Sequence, residues 1–335
     1  MESQSIRLHA VLTAERSTTA QTESTTARFI RRGGLFLAIG LLLYLGVYVF
    51  ADQLVYGHTL RNRFFVVKTA PLPHYDMVVL GASHAAVFDY EDMNARLESL
   101  TGAHVINLSV VGSGVTPNKL LLDYLLVNHS VGSVIYVLDS FVFDSPQWNE
   151  QRLSDAHLYD RAPFDPALAL LLAKTPATRA ELSDYVFGFS KINNQDRFNI
   201  DVSDDEAQRF GSTYRPVPQI DTQRLKFLYP NGVDEASLNR YLGEFDDLLQ
   251  ALDARHIRIS VIKPPLPERL YRQLPAEAQF DARLVAIVGG HSAQFHDFSL
   301  MCNDERFFFN PDHLNRAGVL NFYASCLPAL LGSSG

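Results

Sequence analysis

Three observations predict an α/β fold built on a parallel sheet. Short apolar runs of strand length recur along the chain, stretches of helical period separate them, and the first run ends in small residues, as strands buried on both faces do. The chain has 335 residues, 47% hydrophobic and 20% charged, so it can bury a full core and is neither fibrous nor disordered in composition.

Residues 1–32 are rich in Ser and Thr (TAERSTTAQTESTTARF) and are expected to be a short disordered cytosolic tail. Gly33–Ala51, GGLFLAIGLLLYLGVYVFA, carries no charge. At about 1.5 Å per residue it approaches the ~30 Å thickness of a bilayer's hydrocarbon core. A buried core helix rarely stays apolar on every side for this long, and no small-x-small cleavage site follows. The segment 33–55 therefore reads as a transmembrane anchor. Arg28, Arg31 and Arg32 precede it and favour an inside N-terminus, although Arg61, Arg63 and Lys68 follow. Residues 56–335 then form one extracytoplasmic domain.

MVVLGAS (77–83) is the first strand, and a helix is expected over Tyr90–Leu100 with Asp89 as candidate N-cap. HVINLS (104–109) is the second strand. Leu121, Leu122, Leu125 and Leu126 mark a helix over Asn118–Val127. VIYVLD (134–139) is the third strand. An insertion follows at about 145–233, with helices over Asp165–Lys174 and Pro176–Val186 and a long irregular stretch, NNQDRFNIDVSDDEAQRFGSTYRPVPQ. From Asp234 to Ala254 the stripe Leu238, Tyr241, Leu242, Phe245, Leu248, Leu249, Leu252 keeps the period of an amphipathic helix. IRISVIKPP (257–265) is a fourth strand stopped by its prolines, AQFHDFS (293–299) a fifth, and a last helix runs from near Asn315 to about Leu331. No internal repeat is present.

The net charge is −8; residues 1–32 carry five Arg against three Glu, which leaves −10 on the remainder. An acidic body argues against nucleic acid as a partner, because phosphate neutralisation needs clustered Lys and Arg. Two cysteines, Cys302 and Cys326, make no disulfide framework, and spacing does not say whether they pair. His291 and His296 have no metal-ligand spacing with other residues. There is no metal motif, phosphate loop or dinucleotide fingerprint, so no cofactor is expected.

In a parallel sheet ligands collect at the carboxyl ends of the strands. Ser83 lies there in LGASHA (80–85), beside the small Gly81 and Ala82, and is either a nucleophile or an ordinary cap. Gly112 and Gly114 follow the second strand in NLSVVGSG, where a backbone N–H could approach an oxyanion or simply make a turn. His313 stands in FFFNPDHLNRAG (307–318), a polar loop ahead of an apolar helix, with Leu314 packing and Asn315 as its N-cap. A serine nucleophile needs such a base within hydrogen-bond reach.

Together these blocks resemble the SGNH (GDSL-like) hydrolase superfamily over about 75–331, the insertion excepted. The resemblance implies a flavodoxin-like three-layer α/β/α sandwich, a nucleophile at Ser83, an oxyanion donor at Gly112, and a base at His313 with Asn310 three residues before it. The HLNxxG ending and the anchor look most like the membrane-tethered branch associated with D-alanyl transfer and polysaccharide O-acetylation.

Two positions depart from that pattern. An asparagine amide is expected after the third strand, and Asp139 and Ser140 stand there instead; an ionised Asp139 would repel an oxyanion. Ser140 or Asn107 are the candidate substitutes. The residue three before His313 should be Asp and is Asn310, which can accept a hydrogen bond but brings no charge. Asp312 is adjacent in sequence and poorly placed for the ring's far nitrogen. Asp297, or a backbone carbonyl, could orient the ring instead. His84 follows Ser83 directly, and neighbours on an extended backbone point apart, so a direct role for it is not expected.

The leading expectation is a membrane-anchored serine acyltransferase or esterase acting on acyl groups of a cell-envelope glycan or polymer. By the same resemblance it sits in a bacterial inner membrane with a periplasmic domain and works beside a multispanning acyltransferase. The competing expectation is a binding or assembly component that kept the fold and lost the chemistry; an unrelated α/β protein is the third. The insertion, near a strand end, is expected to shape the acceptor site.

Overall fold

The computed structural model describes residues 2–58, 62–155, 158–159, 162–188, 191–192, 202–301 and 303–332. The chain divides into two compact units, Met1–Gln53 and Leu54–Gly335. In the first, the backbone forms one helix, α1 (Glu2–His58), which continues through the tail that the composition reads as unstructured. Within α1, Thr25–Leu54 is long and apolar enough to cross a membrane, and only 6% of its most apolar window is buried. Its large side chains, Phe36, Leu37, Leu41, Leu42 and Leu43 among them, stand exposed. Burial in a protein core therefore does not account for this helix.

The second unit is an α/β sandwich around five parallel strands: β1 (His74–Gly81), β2 (Val105–Asn107), β3 (Ser130–Val137), β4 (Arg258–Lys263) and β5 (Ala293–Asp297). Their order is β2-β1-β3-β4-β5. Strand side chains alternate between faces. Val78 and Leu80 of β1, Val134 and Tyr136 of β3 and Val261 of β4 join one core, while Met77, Val79, Ile135, Val137 and Ile262 join the other. Helices cover both, as parallel sheets require.

Its helices include, in chain order, α2 (Ser83–Ala86), α3 (Met93–Thr101), α4 (Val115–Asn128), α5 (Pro166–Lys174), α6 (Arg179–Phe187), α7 (Val202–Arg209), α8 (Pro218–Leu228), α9 (Glu235–Asp253), α10 (Glu277–Val288), α11 (Arg316–Ser325) and α12 (Leu327–Gly332). All seven stripe residues of α9 are buried, and Asp234 caps it by accepting from the N–H groups of Ala236 and Ser237. Each such buried side chain contributes roughly 1.5–3 kcal/mol relative to exposure, so packing, more than propensity, holds this helix.

Three details differ from the sequence reading. Asp89 does not cap α3; it takes the Arg63 guanidinium at 2.7 Å, and α3 starts later, at Met93. The stretch 193–219 is not wholly irregular: it contains α7 and the start of α8, while 193–201 lie outside the described residues. The last helix is split at Cys326, because Pro328 has no N–H to continue the ladder. Cys302 also lies outside the described residues, so its expected alternatives have no structural counterpart.

Candidate active site

In the order 2-1-3-4-5 the chain runs to opposite sides of the sheet after β1 and after β3, which makes the crevice at their carboxyl ends the place for a ligand. Gly81 and Val137, the last residues of these strands, are paired across that crevice. The pairing is so close that a Cβ on Gly81 would lie 2.4 Å from the Val137 carbonyl oxygen, and Gly81 has φ +143°. Only glycine fits here. The Gly81 N–H donates to Asn118 Oδ1, and Ser113 Oγ donates to the Gly81 carbonyl. Ser83 follows, two residues on, as the first residue of α2, and is 5% exposed.

His313 comes from the loop between β5 and α11. Phe308 and Leu314 pair as an antiparallel bridge, the Phe309 N–H donates to the His313 carbonyl, and the Asn315 N–H donates to the Phe307 carbonyl. Inside this tight loop Asn310 Oδ1 accepts from the N–H groups of Asp312 and His313, at 3.1 and 2.8 Å. Those two donors fix which end of the amide is oxygen. The same oxygen lies 3.0 Å from His313 Nδ1. Asn310 therefore shapes the loop and orients the ring at once. Asn315 caps α11, accepting from the Gly318 N–H, and a Cβ on Gly318 would lie 2.3 Å from the Phe307 carbonyl oxygen. That contact explains the glycine of HLNRAG.

The turn made by Asn310 also curls the backbone enough to bring Asp312 Oδ1 to 3.1 Å from His313 Nδ1. Adjacency in sequence does not separate the two, contrary to the extended-chain expectation. Nε2 of His313 is buried and has no hydrogen-bond partner among the described residues. Asp312 supplies the negative charge that Asn310 lacks. Its other oxygen takes Arg224 of α8 at 2.7 Å. Burial opposes its charge, but Arg224, His313 and His84 outweigh burial and hold the carboxyl well below the usual range.

His84 joins the same cluster. Its Nδ1 is 2.7 Å from Asp139 Oδ1, its Nε2 is 3.2 Å from the Asp312 carbonyl oxygen, and its ring stacks on His313 with centroids 4.4 Å apart. Burial works against its charge, yet Asp139 and then Asp312 raise its pKa above the ordinary histidine value. Asp139, expected to disturb an oxyanion, is instead committed through one oxygen to His84; its Oδ2 is buried without a partner.

The other expected site residues lie as follows. Gly112 has φ +69° and packs against the Trp148 ring. Asn107 donates its amide to the Ala85 carbonyl and accepts from Ser109. Ser140 Oγ donates to Glu277 and pairs with Tyr229, and Glu277 in turn holds buried Lys263. Neither Asn107 nor Ser140 has its polar atoms turned to Ser83 and His313. Asp297 caps its own turn through the Ser299 N–H. Arg224 was missed by sequence reasoning, since nothing in the insertion's pattern marks it.

Among the described residues, His84, Asp312 and His313 converge closely enough to raise the question of a metal ion. Their surroundings answer it. Arg224 occupies the carboxylate, and each nitrogen of His84 already faces an oxygen acceptor. The cluster is arranged to hold protons.

No family model matches the chain, and no curated protein matches it. Two solved structures are similar at low levels. A protein of Streptococcus pneumonia provisionally named a platelet activating factor is 11% identical with a TM-score of 0.42, covering 88% of this chain and 99% of its own. One of Bacteroides fragilis provisionally named an acylhydrolase is 11% identical with a TM-score of 0.42, covering 82% of this chain and 97% of its own. The reading of the site rests on its own geometry.

Proposed function

We propose that this protein is a membrane-anchored serine enzyme of acyl transfer, an esterase or O-acyltransferase acting on acyl groups of a cell-envelope glycan or polymer. One observation carries the proposal: His313 is held at Nδ1 by Asn310 with the Asp312 carboxylate 3.1 Å away, while its buried Nε2 has no hydrogen-bond partner among the described residues. An imidazole held in that way is a base waiting for a hydroxyl. Ser83 is the proposed hydroxyl: it directly precedes His84, whose ring stacks on His313.

In the proposed mechanism the Ser83 Oγ–H gives its proton to His313 Nε2 as Oγ bonds to the acyl carbonyl carbon. Asp312 stabilises the imidazolium. Collapse of the tetrahedral adduct breaks the bond to the leaving oxygen, which takes the proton from His313 and leaves acyl-Ser83. An acceptor hydroxyl, or water, then gives its proton to His313 as it attacks the acyl carbon, and His313 returns the proton to Ser83 Oγ as the acyl–Oγ bond breaks. The Ser83 and Gly112 N–H groups are the proposed oxyanion donors. The resemblance supports an envelope acceptor, a multispanning membrane acyltransferase as partner, and an extracytoplasmic site.

A second reading, an assembly subunit without chemistry, is favoured by closure of the site: Ser83 is 5% and His313 0% exposed. Full-length protein in detergent, wild type and Ser83→Ala, assayed on a small activated acetyl ester, separates the two. Loss of the rate with Ser83 supports the enzyme. Equal rates refute it and leave the assembly reading.

A further inference from the structure

We infer that His84 is a standing imidazolium, clamped between Asp139 and Asp312, and that it acts as a positioning residue which keeps His313 neutral and able to accept a proton. The inference deepens the proposed acyl-transfer reading and rests on it for its kinetic part.

The argument begins with proton counting. A carbonyl oxygen has no proton to give, so the 3.2 Å contact between His84 Nε2 and the Asp312 carbonyl needs the hydrogen on nitrogen. The other nitrogen faces a carboxylate oxygen at 2.7 Å. A proton shared between an aspartate, with an ordinary value of about 4, and a histidine, at about 6.5, stays on the histidine. The raised pKa of His84 agrees with this. Both nitrogens are then donors, and the ring is charged.

Charge order comes next. Asp139, His84, Asp312 and Arg224 form a row of alternating sign, closed at one end by a 2.7 Å contact and at the other by a second contact of 2.7 Å. The four charges cancel. His313 lies against the middle of the row, its ring on His84 and its Nδ1 on Asp312. Asp312 alone would draw a second proton onto His313 and spoil it as a base. His84 and Arg224 balance that pull. Other groups near the loop are already matched: Arg269 donates to the Pro311 carbonyl while paired with Asp221 and Glu305, and Phe309 lies on the ring's side at 5.7 Å. Beyond Ser140, Glu277 is paired with Lys263, which also holds Asp281. The arrangement gives Asp139 a purpose that an oxyanion donor would not have: it keeps His84 charged.

Removing the His84 charge leaves a net negative row beside His313, and an opposite charge within 4–6 Å raises a histidine pKa by about one unit or more. The experiment uses full-length protein in detergent and the pH profile of kcat/KM on the acetyl ester. In His84→Gln, where Asp139 and Asp312 face Arg224 alone, the acid limb moves up by about one pH unit, so the rate near pH 6 falls roughly tenfold more than the rate near pH 8. Adding Asp139→Asn to His84→Gln makes the row neutral again and returns the limb toward its wild-type position. An unmoved acid limb overturns the inference, even where the overall rate has dropped, because a merely structural role lowers activity without moving the limb.

A second readout does not depend on activity or on folding of those variants. Ring ¹⁵N spectra of histidine-labelled Ser83→Ala protein should show both His84 nitrogens protonated from pH 6 to 8. A neutral His84 at pH 7 overturns the inference. If instead Ser83→Ala keeps the wild-type ester rate, the acyl-transfer reading falls, and the spectra still decide the charge of His84.

Discussion

Arg224→Met tests how the insertion and the histidine loop hold each other. The Asp312 side chain is 1% exposed and its guanidinium partner 20%. Taking one partner from a buried ion pair costs about 3–5 kcal/mol, because the charge left behind has lost its solvent and its counterion. Imidazoles at 3.1 and 3.7 Å remain near the carboxylate, which puts the loss at the low end, about 3 kcal/mol. For a domain of this size that is a fall of about 6 °C in the unfolding midpoint. The sign with pH follows from linkage. In the wild type the Asp312 pKa is depressed, so its contribution is complete above the unfolded value and disappears as pH falls through the folded one. In the variant the folded pKa rises and protonation relieves the stranded charge. The gap between the two proteins is therefore widest near pH 7 and narrows toward pH 4. Thermal unfolding of both proteins across that range, with Asp312→Asn as the second arm of a double-mutant cycle, measures it. A midpoint within 1 °C of wild type at pH 7, or additive effects in the cycle, would refute the coupling.

Gly81→Ala should abolish stable folding or the site with it, since the new Cβ would meet the Val137 carbonyl at 2.4 Å in a backbone region closed to L side chains; soluble yield and near-UV dichroism check this, and a native spectrum would show that β1 and β3 can part. Burial, reinforced by Glu277 and Glu235, pushes the Asp144 carboxyl up to about 7. The folded state therefore holds a proton that the unfolded chain releases near pH 4, and stability falls as pH rises between those values. Asp144→Asn should remove that slope and, with solvent screening of this partly exposed group counted, gain roughly 1 kcal/mol at pH 8, read by urea unfolding; an unchanged slope would count against it.

Strand positions were legible because apolar runs with no polar interruption have few other uses, and all five are present. Their starts were less so. β1 begins at His74 and β3 at Ser130, where polar residues pair through their backbones and carry no hydrophobic signal. At the site, Ser83 and His313 could be picked out because each sits where a regular element begins or is about to begin. Asp312 was set aside because it adjoins His313 in sequence, and the turn at Asn310 brings its carboxylate to the ring all the same. Arg224 could not be found, since its partner lies 88 residues away and only the folded insertion joins them. Asp139 read as a liability for the same reason: its value depends on a histidine 55 positions earlier.

The contact between His84 and the Asp312 carbonyl spans 228 residues. Synthesis runs from the N-terminus, so β1 and its serine exist long before the loop that supplies His313. Until that loop arrives, the nascent chain carries Ser83 without His313, and Arg224 without the carboxylate of Asp312. His313 thus meets His84 only after the stretch from Phe307 onward exists, and under the proposed acyl-transfer reading a polypeptide cut short before Phe307 lacks its base.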